Sequence, residues 1–118
     1  MAAPGLLALP LEQGRRFRES YLISDAAGLP LTLTGTWTPH AQIRDAPGGA
    51  LLLDLSAMFT LDDGAPGRLT LDIPGSATLP LGRGGVWELV LVPLSGGNAS
   101  AVPLLRGPVL LDIAVVLL

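Results

Sequence analysis

Few residues in this chain can carry chemistry. Its 118 residues include one histidine, His40, and no cysteine, so a His-dependent nucleophilic triad has a single possible centre. His40 shares one side of its segment with Thr36, Thr38, Gln42 and Arg44, and no Ser or Asp is set beside it by spacing, so it reads as a solvated residue on a strand face. Without thiolates, a metal site would rest on carboxylates. Asp62-Asp63-Gly64 begins like a calcium loop, but no ligand-spaced series follows, and Asp and Gly are ordinary turn residues. Gly82-Arg83-Gly84-Gly85 lacks the Lys-Ser/Thr of a phosphate loop and precedes a strand pattern, so it reads as a plain loop. Paired carboxylates of the glycosidase kind are permitted by spacing, yet the acidic residues fall in turns or outer positions, where solvation accounts for them. Trp37 and Trp87 both fall on apolar sides of their segments, which points to core packing rather than a sugar-stacking platform. The resulting expectation is a protein that is not an enzyme, with no catalytic residues, no cofactor and no metal.

The elements holding these residues read as strands. Hydrophobic residues make up 49 % of the chain and charged residues 14 %, which excludes a disordered polymer. The length suits one domain. Glycine (15) and proline (11) interrupt every window in which a 3.6-residue apolar stripe would have to develop. Period-two alternation dominates instead. Over 15–23, Phe17, Tyr21 and Ile23 oppose Arg16, Arg18 and Ser20; over 36–44, Trp37, Ala41 and Ile43 oppose Thr36, Thr38, His40, Gln42 and Arg44. Pro39 cannot donate to a ladder and implies a bulge or an edge there. Further strands are expected over 51–55 (Leu51, Leu53 and Leu55 inward), 59–61, 68–73, 85–92, 101–105 and 109–117, with one helical turn around 76–78. Short strands separated by turns rich in Gly, Pro and Asp predict an all-β fold, an immunoglobulin-like antiparallel β-sandwich of about 7–8 strands. Residues 1–13 form an apolar N-terminal segment or arm, and 14–118 a single β-sandwich domain.

Charge narrows the partners. Net charge is −3 and the sequence pI about 4.8, so no nucleic-acid partner is expected. The basic run Arg15-Arg16-Phe17-Arg18 reads as a guard on an edge strand. The first eleven residues lack a basic start and are broken by Pro4 and Pro10, unlike a signal peptide. Mean hydropathy is high at +0.54, yet no continuous apolar stretch of about 20 residues is present, so no membrane insertion is expected. Leu6, Leu7 and Leu9 near the start, and Ile113, Val115 and Leu117 near the end, are more apolar than a free exterior normally is. They are the expected interface residues, because both faces of the last strand read as apolar.

A set of short motifs recurs in order along the chain: Tyr21, Asp25-x-x-Gly28-x-Pro30-Leu31-x-Leu33-Thr34-Gly35, Ala41-Gln42-Ile43-Arg44, Leu51-x-Leu53-x-Leu55, Leu69-Thr70-Leu71, Ala77-Thr78-x-x-Leu81, Trp87-Glu88-Leu89 and Leu104-Leu105-Arg106-Gly107-x-Val109. Together they span most of residues 14–116. In this order they resemble small phage and prophage tail-associated β-sandwich proteins, of the baseplate-upper-protein N-terminal type and the long-tail-fibre β-sandwich type. Trp87-Glu88 stands where such proteins carry Tyr-Asp or Tyr-Glu, and Val115-Val116-Leu117-Leu118 replaces their polar end. The resemblance implies a non-enzymatic virion structural protein, assembled in the bacterial host cytoplasm and located at the tail tip, baseplate or fibre attachment. Its partners would be copies of itself, as a homo-oligomer, and other phage virion proteins. The alternatives are a head–tail neck or capsid decoration protein, or a carbohydrate-binding β-sandwich module.

Overall fold

Alternating apolar residues that share one core have to lie on sheets facing each other, and this chain does so. The computed structural model describes residues 5–24, 27–33, 35–61, 67–95 and 101–113. Among them are nine strands: β1 (Gly5–Leu6), β2 (Leu9–Glu12), β3 (Phe17–Leu22), β4 (Trp37–Arg44), β5 (Leu51–Asp54), β6 (Phe59–Leu61), β7 (Arg68–Ile73), β8 (Val86–Pro93) and β9 (Val102–Asp112). A 3₁₀ turn over Ser56–Met58 and a single helical turn, α1 (Gly75–Thr78), complete the described elements. The larger sheet runs β1-β9-β8-β4-β5, with β2 also on β9; the smaller runs β3-β7-β6. This division of strands is that of an immunoglobulin-like sandwich, without its inter-sheet disulfide.

The core lies between the sheets. Ile43, Trp87, Leu89 and Leu91 from the larger sheet meet Leu69, Leu71 and Ile73 from the smaller one, all buried. Trp87 and Tyr21 bridge the layers, their ring centroids 6.5 Å apart. Pro39 sits where the edge alternative holds. β5 pairs with β4 only from Gln42 onward, so the first half of β4 has a free side. Where β5 ends, the Ser56 hydroxyl takes over and accepts the Ala41 amide at 3.2 Å. Leu51, expected inward, is exposed, because the β4–β5 register shifts between Ile43 and Arg44 on this edge.

Three boundaries differ from the sequence reading. The count is nine strands among the described residues rather than 7–8. Residues 5–12 are not an arm: β1 and β2 pair in parallel with β9, so the sheet is mixed rather than wholly antiparallel. Finally, 101–105 and 109–117 are not separate strands, since β9 runs unbroken through Gly107-Pro108.

That continuity has a local cause. In a regular parallel ladder the amide of residue 108 would donate to the carbonyl of Leu7, but proline has no N–H. The indole of Trp87 supplies the missing donor, with Nε1 2.8 Å from the Leu7 carbonyl oxygen. Gly107 makes the approach possible, because a Cβ there would lie 2.2 Å from the same oxygen. The break between β1 and β2 falls at this point.

The outer edge of β2 is closed by another proline. The amides of Leu7 and Gln13 donate to β9 carbonyls at 3.0 and 2.9 Å, so odd-numbered amides face β9 and Pro10 faces the free edge. Its missing N–H breaks no bond there and removes one donor that an incoming strand could use.

Candidate functional site

The outer face of the larger sheet is open and concave, with a groove of about 740 Å³ floored by β8. Its residues follow from register. His40 lies opposite Val90, Gln42 opposite Glu88 and Arg44 opposite Val86; on the other side of β8, Glu88 lies opposite Arg106. Leu6 of β1 is next to Arg106 in turn. One row, Gln42–Glu88–Arg106, therefore crosses three strands; beside it β8 contributes Val86, Val90 and Val92, and β4 contributes the polar Thr38, His40 and Arg44. Glu88 and Arg106 are both exposed. Among the described residues no ion pair closes between them, although cross-strand partners sit within reach of each other. Arg44 is held at one end of the groove, with Nη1 2.8 Å from the Gly49 carbonyl oxygen and Nη2 2.8 Å from Gln42 Oε1.

His40 stands on this face near Asp54. The Asp54 carboxyl is held below its ordinary range, first by the Ser56 amide 2.8 Å from Oδ1, then by the Ser56 hydroxyl, with Gln42 and the charge of His40 adding less. This is a grouping of Ser, His and Asp, but not one poised for acyl transfer. The Ser56 hydroxyl is engaged with the Ala41 backbone, at 3.2 Å from its amide and 3.4 Å from its carbonyl oxygen. No bond links it to His40 among the described residues. A nucleophile needs that link to lose its proton. What the cluster does is continue β4 past the end of β5.

The expected interface residues separate into three groups. Leu6 is 83 % exposed on the open face, with Leu7 beside it and Ile113 52 % exposed at the end of β9. Leu9 is not available: it is fully buried, because its side chain points inward from β2 into the core. Val115 and Leu117 lie outside the described residues. The apolar outward positions of β9 are Pro108 and Leu110, the latter 56 % exposed, flanked by Arg106 and Asp112. Of the last strand expected to be apolar on both faces, 109–117, Leu110 faces outward as expected, Asp112 also faces outward, and 114–117 lie outside the described residues.

The remaining motifs have structural placements. Arg16 forms a bidentate pair with Asp72 at 2.8 and 2.6 Å, next to the edge strand β3 of the smaller sheet. This pair holds the Asp72 carboxyl below its ordinary range, with Arg18 contributing charge. Gly84 and Gly85 let the entry to β8 pass between its neighbours, since a Cβ on either would lie 2.1 Å from a backbone oxygen, of Val109 and Arg44 respectively. Trp87 is buried and Trp37 half-buried against the core. Asp62-Asp63-Gly64 lies outside the described residues, and among those described no three metal-ligating side chains converge.

Sequence reasoning missed the groove floor. The signal was present in 85–92, where Val86 and Val90 occupy the side opposite Trp87, Leu89 and Leu91, leaving valine on the solvent face of a central strand. No family model matches the chain, and no curated protein matches it.

Proposed function

We propose that this protein is a structural subunit of a phage particle: a tail-associated β-sandwich adaptor that assembles with itself and with neighbouring virion proteins. It acts at the tail tip, baseplate or fibre attachment, and its work is burial of surface rather than catalysis. One observation carries this reading. On the open face of the larger sheet, the outward positions of the central strand β8 are valine at 86, 90 and 92, bordered by the exposed Leu6 on one side and the polar residues of β4 on the other. A free sandwich ordinarily makes a central strand's outer side polar. The ordered turn and strand motifs from Tyr21 to Val109, which resemble those of phage tail-associated sandwiches, support the phage assignment. The carbohydrate-binding alternative needs an exposed aromatic platform, and the burial of Trp87 speaks against it.

The test is composition of the particle. Virions purified from an induced lysogen carrying the gene are analysed by mass spectrometry and labelled with gold-conjugated antibody to this chain. A fixed copy number and label on the tail are expected. Label at the neck or over the capsid would select the neck or decoration alternative instead. Absence of the chain from purified particles would overturn the reading.

A further inference from the structure

We infer that the outer face of the larger sheet is the surface on which a second copy of this chain docks, around a two-fold axis running along the strands between β8 and β9. The inference rests on the self-assembly part of the proposed function and names its surface.

Glu88 and Arg106 are direct neighbours across β8 and β9, exposed and pointing to the same side. Two sheets stacked face to face are about 10 Å apart, within reach of two long side chains. A two-fold axis in the plane between them, parallel to the strands and midway between β8 and β9, places each copy's Glu88 over the other's Arg106. Both pairs form together, as an isologous interface requires. The other in-plane choice, an axis across the strands through this row, would set Glu88 on Glu88 and Arg106 on Arg106. The charges therefore select one of the two in-plane axes for stacking this face on its copy. Under the same axis β4 comes to lie over β1, which sets Gln42 beside the partner's Leu6, and the valines of β8 cover Pro108 and the first half of β9.

Area agrees with this. The footprint takes in four strands, β1/β2, β9, β8 and β4, spaced about 4.8 Å apart, along the eight residues of β8 at about 3.4 Å each. That is roughly 500 Å² per copy before side-chain relief, or about 1,000 Å² in total, the lower bound for a specific interface. Area alone does not fix the affinity, so association has to be followed over a wide range of concentration. The free edge of β2, carrying Pro10, lies at the rim and directs association to the face instead of to strand addition.

Sedimentation velocity of the full chain over a dilution series tests the proposal. Wild type is expected to move from dimer to monomer on dilution. Glu88→Arg and Arg106→Glu, each placing like charges together twice, should weaken the dimer by about tenfold or more. The double exchange should restore it. The decisive arm is mixing. Glu88→Arg combined with Arg106→Glu should form a heterodimer that neither forms with itself, a result that altered folding cannot imitate. Val90→Arg should abolish association in every background. A wild-type chain that stays monomeric at the highest soluble concentration overturns the inference, as does a dimer indifferent to these changes or a mixture that fails to associate. Particle labelling is read separately. A chain found on the tail but monomeric in solution overturns only the docking inference, and a dimer absent from particles overturns only the proposed function.

Discussion

Replacing Trp87 with phenylalanine tests whether an indole stands in for the amide that Pro108 lacks. The change removes the Nε1–H that lies 2.8 Å from the Leu7 carbonyl oxygen, and Pro108 has no N–H to return to it. Leaving an acceptor without its donor costs about 1–3 kcal/mol in a partly buried site. The smaller ring gives up roughly 40 Å² of buried apolar surface, about 1 kcal/mol more at the usual coefficient. The expected loss is therefore about 2–4 kcal/mol, a large share of the 5–15 kcal/mol that holds a typical domain together. Urea denaturation followed by far-ultraviolet circular dichroism reads this directly. Hydrogen exchange should show the loss concentrated in β1 and β2. Trp87→Phe combined with Pro108→Ala provides the critical comparison, because alanine restores a backbone N–H facing Leu7. The double variant should recover part of the stability lost by the single one. If Trp87→Phe costs no more than the ring truncation, or Pro108→Ala recovers nothing, the stand-in role is wrong.

Three further outcomes follow from the same packing. Gly107→Ala places a Cβ 2.2 Å from the Leu7 carbonyl oxygen, an overlap expected to cost about 1–3 kcal/mol and to release residues 5–8 to proteolysis; unchanged protection of this segment would refute it. Thr78→Val removes a buried hydroxyl that accepts the Gly14 amide at 2.9 Å and lies 3.2 Å from the Arg15 carbonyl oxygen, so it should lower stability by about 1–3 kcal/mol in denaturant titration, whereas Thr78→Ser should keep most of it. Tyr21 is the only tyrosine, and burial, reinforced by the charge of Glu19, pushes its phenol up to about 12. An unfolded tyrosine ionises near pH ~10. The neutral form is thus favoured in the fold, and this contribution is complete below pH ~10 and lost as pH rises towards about 12. Tyr21→Phe should flatten the alkaline fall in stability, and a tyrosinate absorbance midpoint at the ordinary value in the folded protein would refute the shift.

Where local pattern and tertiary context agree, the sequence was sufficient. Leu69, Leu71 and Ile73 alternate in a strand with polar neighbours and turn signals on both sides, and all three are buried as alternation requires. The turn around Ser76 was legible for the same reason, as a short non-alternating interval between two strands. The N-terminal strands were not. Their partner is β9, about 100 residues away in the chain, and parallel pairing across that distance leaves no local mark. Pro10 reads as a break although its side of the strand makes no bond. Gly107-Pro108 was misleading in the same way, since the residue that compensates for the proline lies on another strand. For the candidate site, the individual residues could be read but their company could not. Glu88 and Arg106 become neighbours only through the β8–β9 register, which shifts between Leu89 and Val90 and so escapes simple counting.

The two outer faces of the sandwich differ in a way that bears on assembly. On the smaller sheet, two polar pairs are already closed: Arg16, just before β3, with Asp72 at 2.6 Å, and the Ser20 hydroxyl with that of Thr70 at 2.8 Å. Such a face has little to gain from a partner, because its groups would have to give up bonds already made. On the larger sheet, opposite charges lie side by side without closing on each other, set among valines. A face with closed pairs at its centre and a face whose central Glu88 and Arg106 stay apart should respond differently to the same insult. Ser20→Lys puts a new charge on the exposed smaller sheet as Val90→Arg does on the larger one. The first should leave sedimentation unchanged at every concentration, at the cost of one surface hydrogen bond. The second should leave only monomer. If both variants weakened association equally, the effect would be one of net charge, and the asymmetry of the two faces would not be its cause.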